Sequence, residues 1–222
     1  MHTGRLLVWL IAGLMGFCVL LVVPLRWLNP PVTAFMLQQT DAGDRKYEWA
    51  PIEQIAEEAW LAVIAAEDQR FPDHHGIDLD AIQKAIQDSE NGNGMRGAST
   101  ITQQLAKNLY LWPGRSLFRK GVEAVFSLML ETALPKRRIL EIYLNVVEFG
   151  PGIYGTGAAS RFYFRKPPAL LNREEAALLA AVLPNPAELN AAAPSAYLRE
   201  RQRWIMGQMT NLRARGMLRR LE

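Results

Sequence analysis

The feature that most constrains this chain is a run of twenty residues, from Leu6 to Leu25, that contains no charged side chain. A helix of that length rises about 30 Å, which matches the hydrocarbon thickness of a bilayer. A cleaved signal peptide would have a shorter apolar region followed by a small-residue cleavage site. Pro24-Leu25-Arg26-Trp27 ends the run instead. We therefore predict an uncleaved transmembrane anchor over residues 1–28.

The charge of the chain argues against a broad nucleic-acid-binding surface. Its formal net charge is +3, from 25 basic and 22 acidic side chains. The predicted anchor holds Arg5 and Arg26 and no acid, so the rest of the chain carries 3 − 2 = +1. Because nucleic-acid-binding domains are usually much more basic, no nucleic-acid partner is expected. The single cysteine, Cys18, excludes an intrachain disulfide.

After the anchor, we expect a connecting segment over residues 29–50 and one mainly α-helical domain over residues 51–222. Apolar residues recur at helical spacing through most of this domain, and no run alternates as a strand would. Glycine-containing segments at 89–97 and 150–157 predict loops. One predicted helix begins at a capping box formed by Thr100 and Gln103. The other predicted helices are Pro51 to Glu67, Leu79 to Ile86, Ser116 to Thr132, Pro135 to Val147, Asn172 to just before Pro184, and Ser195 to Gly216.

Two adjacent carboxylates, Glu67 and Asp68, close the first of these helices, which is otherwise apolar. A carboxylate at the mouth of an apolar pocket has a raised pKa, which suits a general base or acid. The alternative is a solvated acid beside a cap of the next segment, since most acids are exposed. His74 and His75 follow, but adjacent histidines point in different directions and this pattern supplies no third metal ligand.

Two further patterns are typical of anion binding. Ser99 and Thr100 carry hydroxyls at the start of a helix that follows a glycine-containing segment, and such an N-terminus can bind an anionic oxygen. Arg119 and Lys120 lie within one helical turn of Glu123, and both cations are natural partners of a phosphate. The alternatives are an ordinary capped amphipathic helix and a surface ion pair of little energetic value.

Together and in this order, the patterns resemble the glycosyltransferase domain of class A penicillin-binding proteins and of monofunctional peptidoglycan glycosyltransferases. The resemblance covers roughly residues 51–186. The transpeptidase elements Ser-x-x-Lys and Lys-Thr-Gly do not occur in the sequence, so glycan polymerisation without peptide cross-linking is expected. Four complete motifs carry the resemblance: Glu-Asp-x-x-Phe-x-x-His-x-Gly from Glu67 to Gly76, Gly-x-Ser-Thr-x-x-Gln-Gln-x-x-Lys-Asn from Gly97 to Asn108, Arg-Lys-x-x-Glu from Arg119 to Glu123, and Lys-x-x-Ile-Leu-Glu-x-Tyr-Leu-Asn from Lys136 to Asn145.

The resemblance implies a mainly α, lysozyme-like glycosyltransferase domain with a smaller membrane-facing lobe, preceded by one N-terminal transmembrane helix. The implied reaction transfers the growing glycan from polyprenyl pyrophosphate to the 4-hydroxyl of a lipid-linked disaccharide-pentapeptide, with inversion to a β-1,4 link. The domain would lie on the periplasmic side of the bacterial inner membrane. Proteins of cell division and of wall synthesis are candidate partners.

The same resemblance implies roles for individual residues. Glu67 is the expected general base. Lys107, Arg119 and Lys120 are expected to stabilise the pyrophosphate leaving group. Glu123 is expected to stay ionised, and either to orient these cations or to help hold a divalent metal such as Mg²⁺ or Mn²⁺ on the pyrophosphate; no organic cofactor is implied. The expected substrate-binding residues are Ser99, Thr100, Gln103, Gln104, Lys107, Asn108, Arg119 and Lys120.

Two other classes of function remain open at this point. A lytic enzyme that cuts the same glycan would need a pair of carboxylates and a water, and no pyrophosphate site. A membrane-tethered wall-binding scaffold would have no need of two intact glutamates. The arginine-rich tail from Arg199 to Glu222 predicts a solvated helix face, with contact to anionic lipid headgroups as the sharper alternative.

Overall fold

The computed structural model describes residues 9, 12, 13, 16–38, 45–90, 99–114 and 116–221, and it confirms a mainly helical domain. Within these residues the α-helices are α1 (Ala34–Gln38), α2 (Glu57–Glu67), α3 (Leu79–Glu90), α4 (Ile101–Tyr110), α5 (Leu117–Ala133), α6 (Lys136–Val146), α7 (Gly155–Phe164), α8 (Arg173–Val182) and α9 (Ala196–Ala214). Short 3-10 helices lie at Val23–Arg26, Ile52–Gln54, Phe71–Asp73, Pro168–Leu170 and Leu218–Arg220. The strands are β1 (Lys46–Tyr47), β2 (Glu148–Gly150) and β3 (Ile153–Tyr154).

Helix α2 is the most deeply buried element on the path to the site. Its residues 59–65 are all buried, and it packs against α8 and α9. Helix α8 is equally apolar, with residues 176–182 all buried. Asp68 leaves the helical conformation, with a φ of −161°, and so ends α2 at Glu67. The buried helix therefore delivers a carboxylate to the edge of the core.

The predicted capping box at Thr100 is confirmed, and further helices also begin with a side-chain cap. Thr100 and Gln103 form a capping box at the start of α4, and Asn172 and Glu175 form another at the start of α8. The side chain of Ser116 caps α5. Each cap satisfies backbone N–H groups that the first turn of a helix leaves without partners. Because α4 packs against both α5 and α6, these caps also fix where the helices begin relative to one another.

A small sheet lies beside the helices. Strand β3 is its middle strand, parallel to β1 and antiparallel to β2. Gly155 follows β3 with a φ of +81°, and a Cβ at this position would lie 2.4 Å from the backbone oxygen of Asn145. Both the backbone conformation and this close approach require glycine. The Asn145 side chain also bonds the backbone N–H and C=O of Ala50, at 2.8 and 2.9 Å, which ties α6 to the segment before α2.

Three predictions about local structure are wrong. The helix predicted from Pro51 starts later, because a 3-10 helix at Ile52–Gln54 and an extended Ile55 precede α2. The loop predicted over 150–157 contains β3 and the first turn of α7. The sheet was not predicted, because strands of two or three residues are too short for an alternating pattern to be visible.

Part of the predicted anchor lies outside the described residues, which omit residues 1–8, 10, 11, 14 and 15. Residues 16–22 are helical and continue into the 3-10 helix Val23–Arg26. Among the described residues, no helix is both long enough and apolar enough to cross a membrane.

Arg138 of α6 joins this N-terminal segment to the domain. Its guanidinium donates hydrogen bonds to the backbone oxygens of Leu25 and Leu28, at 2.8 and 2.9 Å, and to Oδ1 of Asn29, at 2.8 Å. The hydroxyl of Tyr110 donates a further hydrogen bond, of 3.1 Å, to the backbone oxygen of Leu21, one turn before Leu25. The chain that follows the helical residues 16–22 is thus fixed against α4 and α6.

Several apolar side chains of α5 point away from the core. Of the apolar residues predicted on this helix, Phe118 and Val125 are exposed. Residues 16–22 lie alongside, and an apolar groove between the two elements is lined by Val19, Val22, Val23, Leu128, Met129, Thr132 and Ala133. Exposed apolar surface of this kind marks a site of contact with a membrane or a partner. We call the exposed residues of the two elements the apolar face: Phe17, Val19, Leu20, Leu117, Phe118, Val125 and Leu128.

Candidate active site

Residues from three separate motifs meet in one cleft of about 290 Å³. The end of α2 brings Glu67 to it, and α5 brings Glu123. The two glutamates therefore face a common space. The cleft is lined by Glu67, Ser99, Gln104, Lys107, Arg119, Lys120, Glu123, Leu183 and Pro184.

Glu67 is mostly buried, with 13% of its side chain exposed. Its Oε2 accepts a hydrogen bond of 2.8 Å from the amide nitrogen of Gln104. Its Oε1 lies 3.5 Å from a guanidinium nitrogen of Arg201. Burial raises the pKa of Glu67 and outweighs the opposing effects of the Gln104 hydrogen bond and of the positive charges of Arg201 and Lys107. A carboxylate with a raised pKa is suited to accept a proton near neutral pH.

The opposite side of the cleft carries a cluster of cations around Glu123. This carboxylate is only 4% exposed and lies 3.4 Å from a guanidinium nitrogen of Arg119. The ammonium of Lys120 contacts its other oxygen and also donates a hydrogen bond of 3.1 Å to the hydroxyl of Ser99. Lys107 lies beside them, and its burial lowers the pKa of its ammonium while the Glu123 charge opposes that shift.

The cation cluster has the chemistry of a phosphate site. Three positive side chains, of Lys107, Arg119 and Lys120, line the cleft, and two of them, Arg119 and Lys120, pair with Glu123. The Nε of Arg119 is buried and has no hydrogen-bond partner among the described residues. Positive charge and a free buried donor both favour binding of an anion with several oxygen acceptors.

Asp68 and His74 are structural neighbours of the site. Asp68 accepts a hydrogen bond of 3.0 Å from the backbone N–H of Ile101, the first residue of α4. Its carboxylate also lies 3.0 Å from Nε2 of His74, and both side chains are buried. Asp68 thereby joins the end of α2 to the start of α4, which sets the position of Glu67 relative to Gln104. His74 has this carboxylate as its hydrogen-bond partner.

Three predicted substrate-binding residues do not line this cleft. The hydroxyl of Thr100 donates to the backbone oxygen of Gly76, at 2.6 Å, and accepts from Gln103 within the capping box. Gln103 and Asn108 are buried, with 3% and 6% of their surface exposed. Thr100 borders a neighbouring cleft of about 390 Å³ that also meets Glu67 and Ser99. Substrate contact by these three residues stays a prediction.

Arg201 is a site residue that the sequence pattern did not predict. The tail arginines were expected to form a solvated face, and this holds for Arg199 and Arg203, which are exposed. It is wrong for Arg201, which lies beside Glu67 with 23% of its side chain exposed. Helical spacing gives the missing signal, because Arg201 stands three residues after Leu198 and four before Ile205, which are both buried.

The described residues do not fit a metal held by protein ligands alone. In the part of the chain that the structure describes, no group of three or more His, Cys, Asp or Glu side chains could hold a metal ion. Both oxygens of Glu123 already face cations, those of Arg119 and Lys120. Glu123 could offer only this one shared carboxylate to a metal bound on a pyrophosphate.

Comparison with known proteins gives the family. The sequence matches the family described as Transglycosylase over residues 34–210. The chain belongs to the transglycosylase family. A relative from Aeromonas hydrophila is 50% identical over 196 residues, which are 86% of this chain and 83% of the relative. A relative from Shewanella oneidensis is 48% identical over 216 residues, 94% of this chain and 93% of the relative. Both relatives are named biosynthetic peptidoglycan transglycosylase.

The transglycosylase match confirms the family that the four motifs indicate. It includes the cleft from Glu67 to Pro184, and it reaches Arg201 on α9. The match begins at residue 34, so it does not include the uncharged N-terminal run. The relative from Shewanella oneidensis, by contrast, aligns with nearly the whole chain. In this transglycosylase, the expected base and the expected leaving-group cations therefore share one cleft inside the family domain.

Proposed function

We propose that this transglycosylase polymerises peptidoglycan glycan strands from a lipid-linked disaccharide-pentapeptide. The observation that carries the proposal is that Glu67, whose pKa is raised by burial, shares a cleft with three cations. A base and a binding site for an anionic leaving group are what transfer from a sugar pyrophosphate requires. The names of the relatives from Aeromonas hydrophila and Shewanella oneidensis support peptidoglycan as the product.

In the proposed reaction, the 4-hydroxyl of the acceptor gives its proton to Glu67 while its oxygen attacks C1 of the donor sugar. The new bond from O4 to C1 forms as the bond from C1 to the pyrophosphate oxygen breaks, so the configuration inverts and a β-1,4 link results. The electron pair of the broken bond leaves with the polyprenyl pyrophosphate. Lys107, Arg119 and Lys120 stabilise the negative charge that grows on this group, and they do so more strongly in the transition state than in the ground state.

Glu123 supports the leaving-group site by holding its cations in place. Three like charges in one cleft repel one another, and a carboxylate between them reduces that repulsion. The contacts of Glu123 with Arg119 and Lys120 give both side chains a fixed position before substrate arrives. A Mg²⁺ or Mn²⁺ ion on the pyrophosphate stays a prediction from the resemblance, and no step of this mechanism depends on it.

The two other classes of function are not favoured. An inverting lytic enzyme needs a second carboxylate free to activate water on the far side of the sugar. Glu123, the second cleft glutamate, is 4% exposed and has both oxygens engaged by cations. An inactive scaffold would not need the raised pKa of Glu67 beside a cation cluster. Transfer from a phosphorylated donor uses both features.

We also propose that the chain is held in the bacterial inner membrane, with its domain on the periplasmic side. The uncharged run from Leu6 to Leu25 supports this, and so does the apolar face that continues from residues 16–22 onto α5. A reporter that is active only outside the cytoplasm, fused after Glu222, should be active, and the protein should stay with membranes until detergent is added. Activity of a fused reporter that works only in the cytoplasm would contradict the proposal. A mature N-terminus beyond Pro24 would also contradict it.

The function is tested most directly with labelled lipid-linked disaccharide-pentapeptide. The purified full-length chain in detergent should convert it into long glycan and release polyprenyl pyrophosphate. Gel analysis of the glycan and thin-layer analysis of the lipid measure the two products. Muramidase should digest the glycan product, because its links are β-1,4. Release of short sugars from preformed glycan, without polymer, would instead identify a lytic enzyme.

A further inference from the structure

The two oxygens of the Glu67 carboxylate have different surroundings. Oε2 accepts the 2.8 Å hydrogen bond from the side-chain amide of Gln104. Oε1 accepts no hydrogen bond from the described residues, and its nearest cation is the Arg201 guanidinium, at 3.5 Å. One oxygen is therefore held by the protein, while the other keeps its lone pairs for a proton. Whether Oε2 is held depends on how the Gln104 amide is turned, because only its NH₂ group can donate.

Tyr143 of α6 contacts the oxygen of that amide. Its hydroxyl donates a hydrogen bond of 2.8 Å to Oε1 of Gln104. Tyr143 is fully buried, and burial, together with the nearby charges of Glu67 and Asp68, raises its pKa well above the usual value. The phenol thus remains protonated at neutral pH and can act as a donor. With its oxygen facing Tyr143, the Gln104 amide presents its NH₂ group to Glu67.

An ionised carboxylate can only accept hydrogen bonds, so this orientation is the one that suits Glu67 as a base. The reversed amide would place an oxygen against the carboxylate and leave the two to repel each other. The three side chains come from α6, α4 and α2, and no local sequence pattern connects them. The hydrogen bonds from Tyr143 to Gln104 and from Gln104 to Glu67 form a relay that orients the carboxylate.

We propose that Tyr143 is a positioning residue for the general base. Acting through Gln104, it fixes Oε2 of Glu67 and leaves Oε1 as the oxygen that takes the proton from the acceptor. This inference rests on the proposed function, because it assumes that Glu67 is the base. It also changes the interpretation of Gln104, which holds the base rather than serving only as a substrate contact.

The variant Tyr143→Phe tests the relay, because it removes the hydroxyl and keeps the ring that packs in the core. Without its donor, the Gln104 amide is free to turn, and the hydrogen bond to Glu67 weakens. We expect kcat at neutral pH to fall roughly ten-fold, with little change in KM, since the loss of one net hydrogen bond typically costs about this factor. The pKa of Glu67 should rise further. As the pH is lowered, the rate of the variant should therefore begin to fall at a higher pH than the rate of the wild type.

A double-mutant cycle separates positioning from general stability. In a Gln104→Ala background, Tyr143→Phe should cause little additional loss of kcat, because the connection to Glu67 is already broken. Titration of the Glu67 carboxyl carbon by ¹³C NMR gives a readout that does not depend on turnover. Tyr163→Phe is the matched control, because the Tyr163 hydroxyl also donates one hydrogen bond, of 3.2 Å to the backbone oxygen of Phe149, and lies outside the cleft. It should leave kcat and the pH profile unchanged.

The outcomes distinguish this inference from the proposed function. If the wild type fails to polymerise, the proposed function fails. If the wild type polymerises and Tyr143→Phe matches it in kcat and in the pKa of Glu67, the positioning role alone is wrong. The positioning role is also wrong if the losses from Tyr143→Phe and Gln104→Ala simply multiply, because independent effects would then explain both.

Discussion

Glu67→Gln should abolish glycan polymerisation while lipid-substrate binding remains close to that of the wild type. Glutamine keeps the shape of the side chain, and its oxygen can still accept the hydrogen bond from Gln104, but it cannot take the proton from the acceptor hydroxyl. Loss of a general base typically lowers a rate by about 10²- to 10⁴-fold. Turnover of labelled lipid substrate and equilibrium binding of the same substrate measure the two effects separately.

A matched control for this variant is Glu53→Gln. Glu53 is an exposed glutamate whose partner is Arg137, on the surface of the domain. Its loss should leave polymerisation unchanged, and the melting temperatures of both variants should show that the domain is folded. Substantial polymerisation by a folded Glu67→Gln variant would remove Glu67 from the role of base.

The same assignment fixes the direction of the pH dependence. Burial raises the pKa of Glu67, and the base must be deprotonated to act. The rate should therefore fall as the pH decreases through that raised pKa, which lies above the ordinary value for a glutamate. The acidic side of the profile should disappear in whatever residual activity Glu67→Gln retains.

Lys107→Met should lower polymerisation by about 30- to 1,000-fold, which corresponds to about 2–4 kcal/mol of transition-state stabilisation. Methionine fills the space of the lysine stem but lacks the ammonium, so the change removes charge with little loss of packing. The cleft would keep Arg119 and Lys120, and for this reason residual activity is expected. Single-turnover rates at saturating substrate measure the loss.

The control for Lys107→Met is Arg215→Ala, which removes an exposed cation at the end of α9. It should not change the single-turnover rate. If Lys107→Met, folded and saturated with substrate, turns over like the wild type, the leaving group is stabilised elsewhere in the cleft.

The sequence predicts those features whose causes are local. Thr100 with Gln103, and Asn172 with Glu175, satisfy the first turns of their own helices, so short motifs are sufficient to place them. The raised pKa of Glu67 could also be predicted, because Glu67 ends a helix whose preceding residues are apolar. In each case, the residues that produce the effect lie within a few positions of one another.

Features formed by contacts between distant segments could not be predicted in this way. Arg201 meets Glu67 only because α9 packs against α2, and Tyr143 reaches Gln104 only because α6 packs against α4. Tyr143 lies in an apolar helical stripe, where a tyrosine looks like an ordinary core residue. Its hydroxyl acquires a function from a partner on another helix, and no spacing within one segment carries that information.

The hydrogen bonds of Arg138 to Leu25, Leu28 and Asn29 have a consequence for how substrate is captured. A flexible linker would let a tethered enzyme sample many heights and tilts above a bilayer. The hydrogen bonds of Arg138 to three acceptor oxygens instead hold the domain at one height and one tilt relative to the N-terminal segment. For a chain held in a bilayer by its N-terminal run, every lipid-borne sugar that diffuses in the plane of the membrane then meets the cleft at the same level. With the chain anchored as we propose, enzyme and substrate meet by diffusion in the plane of the membrane, with the cleft at a fixed height.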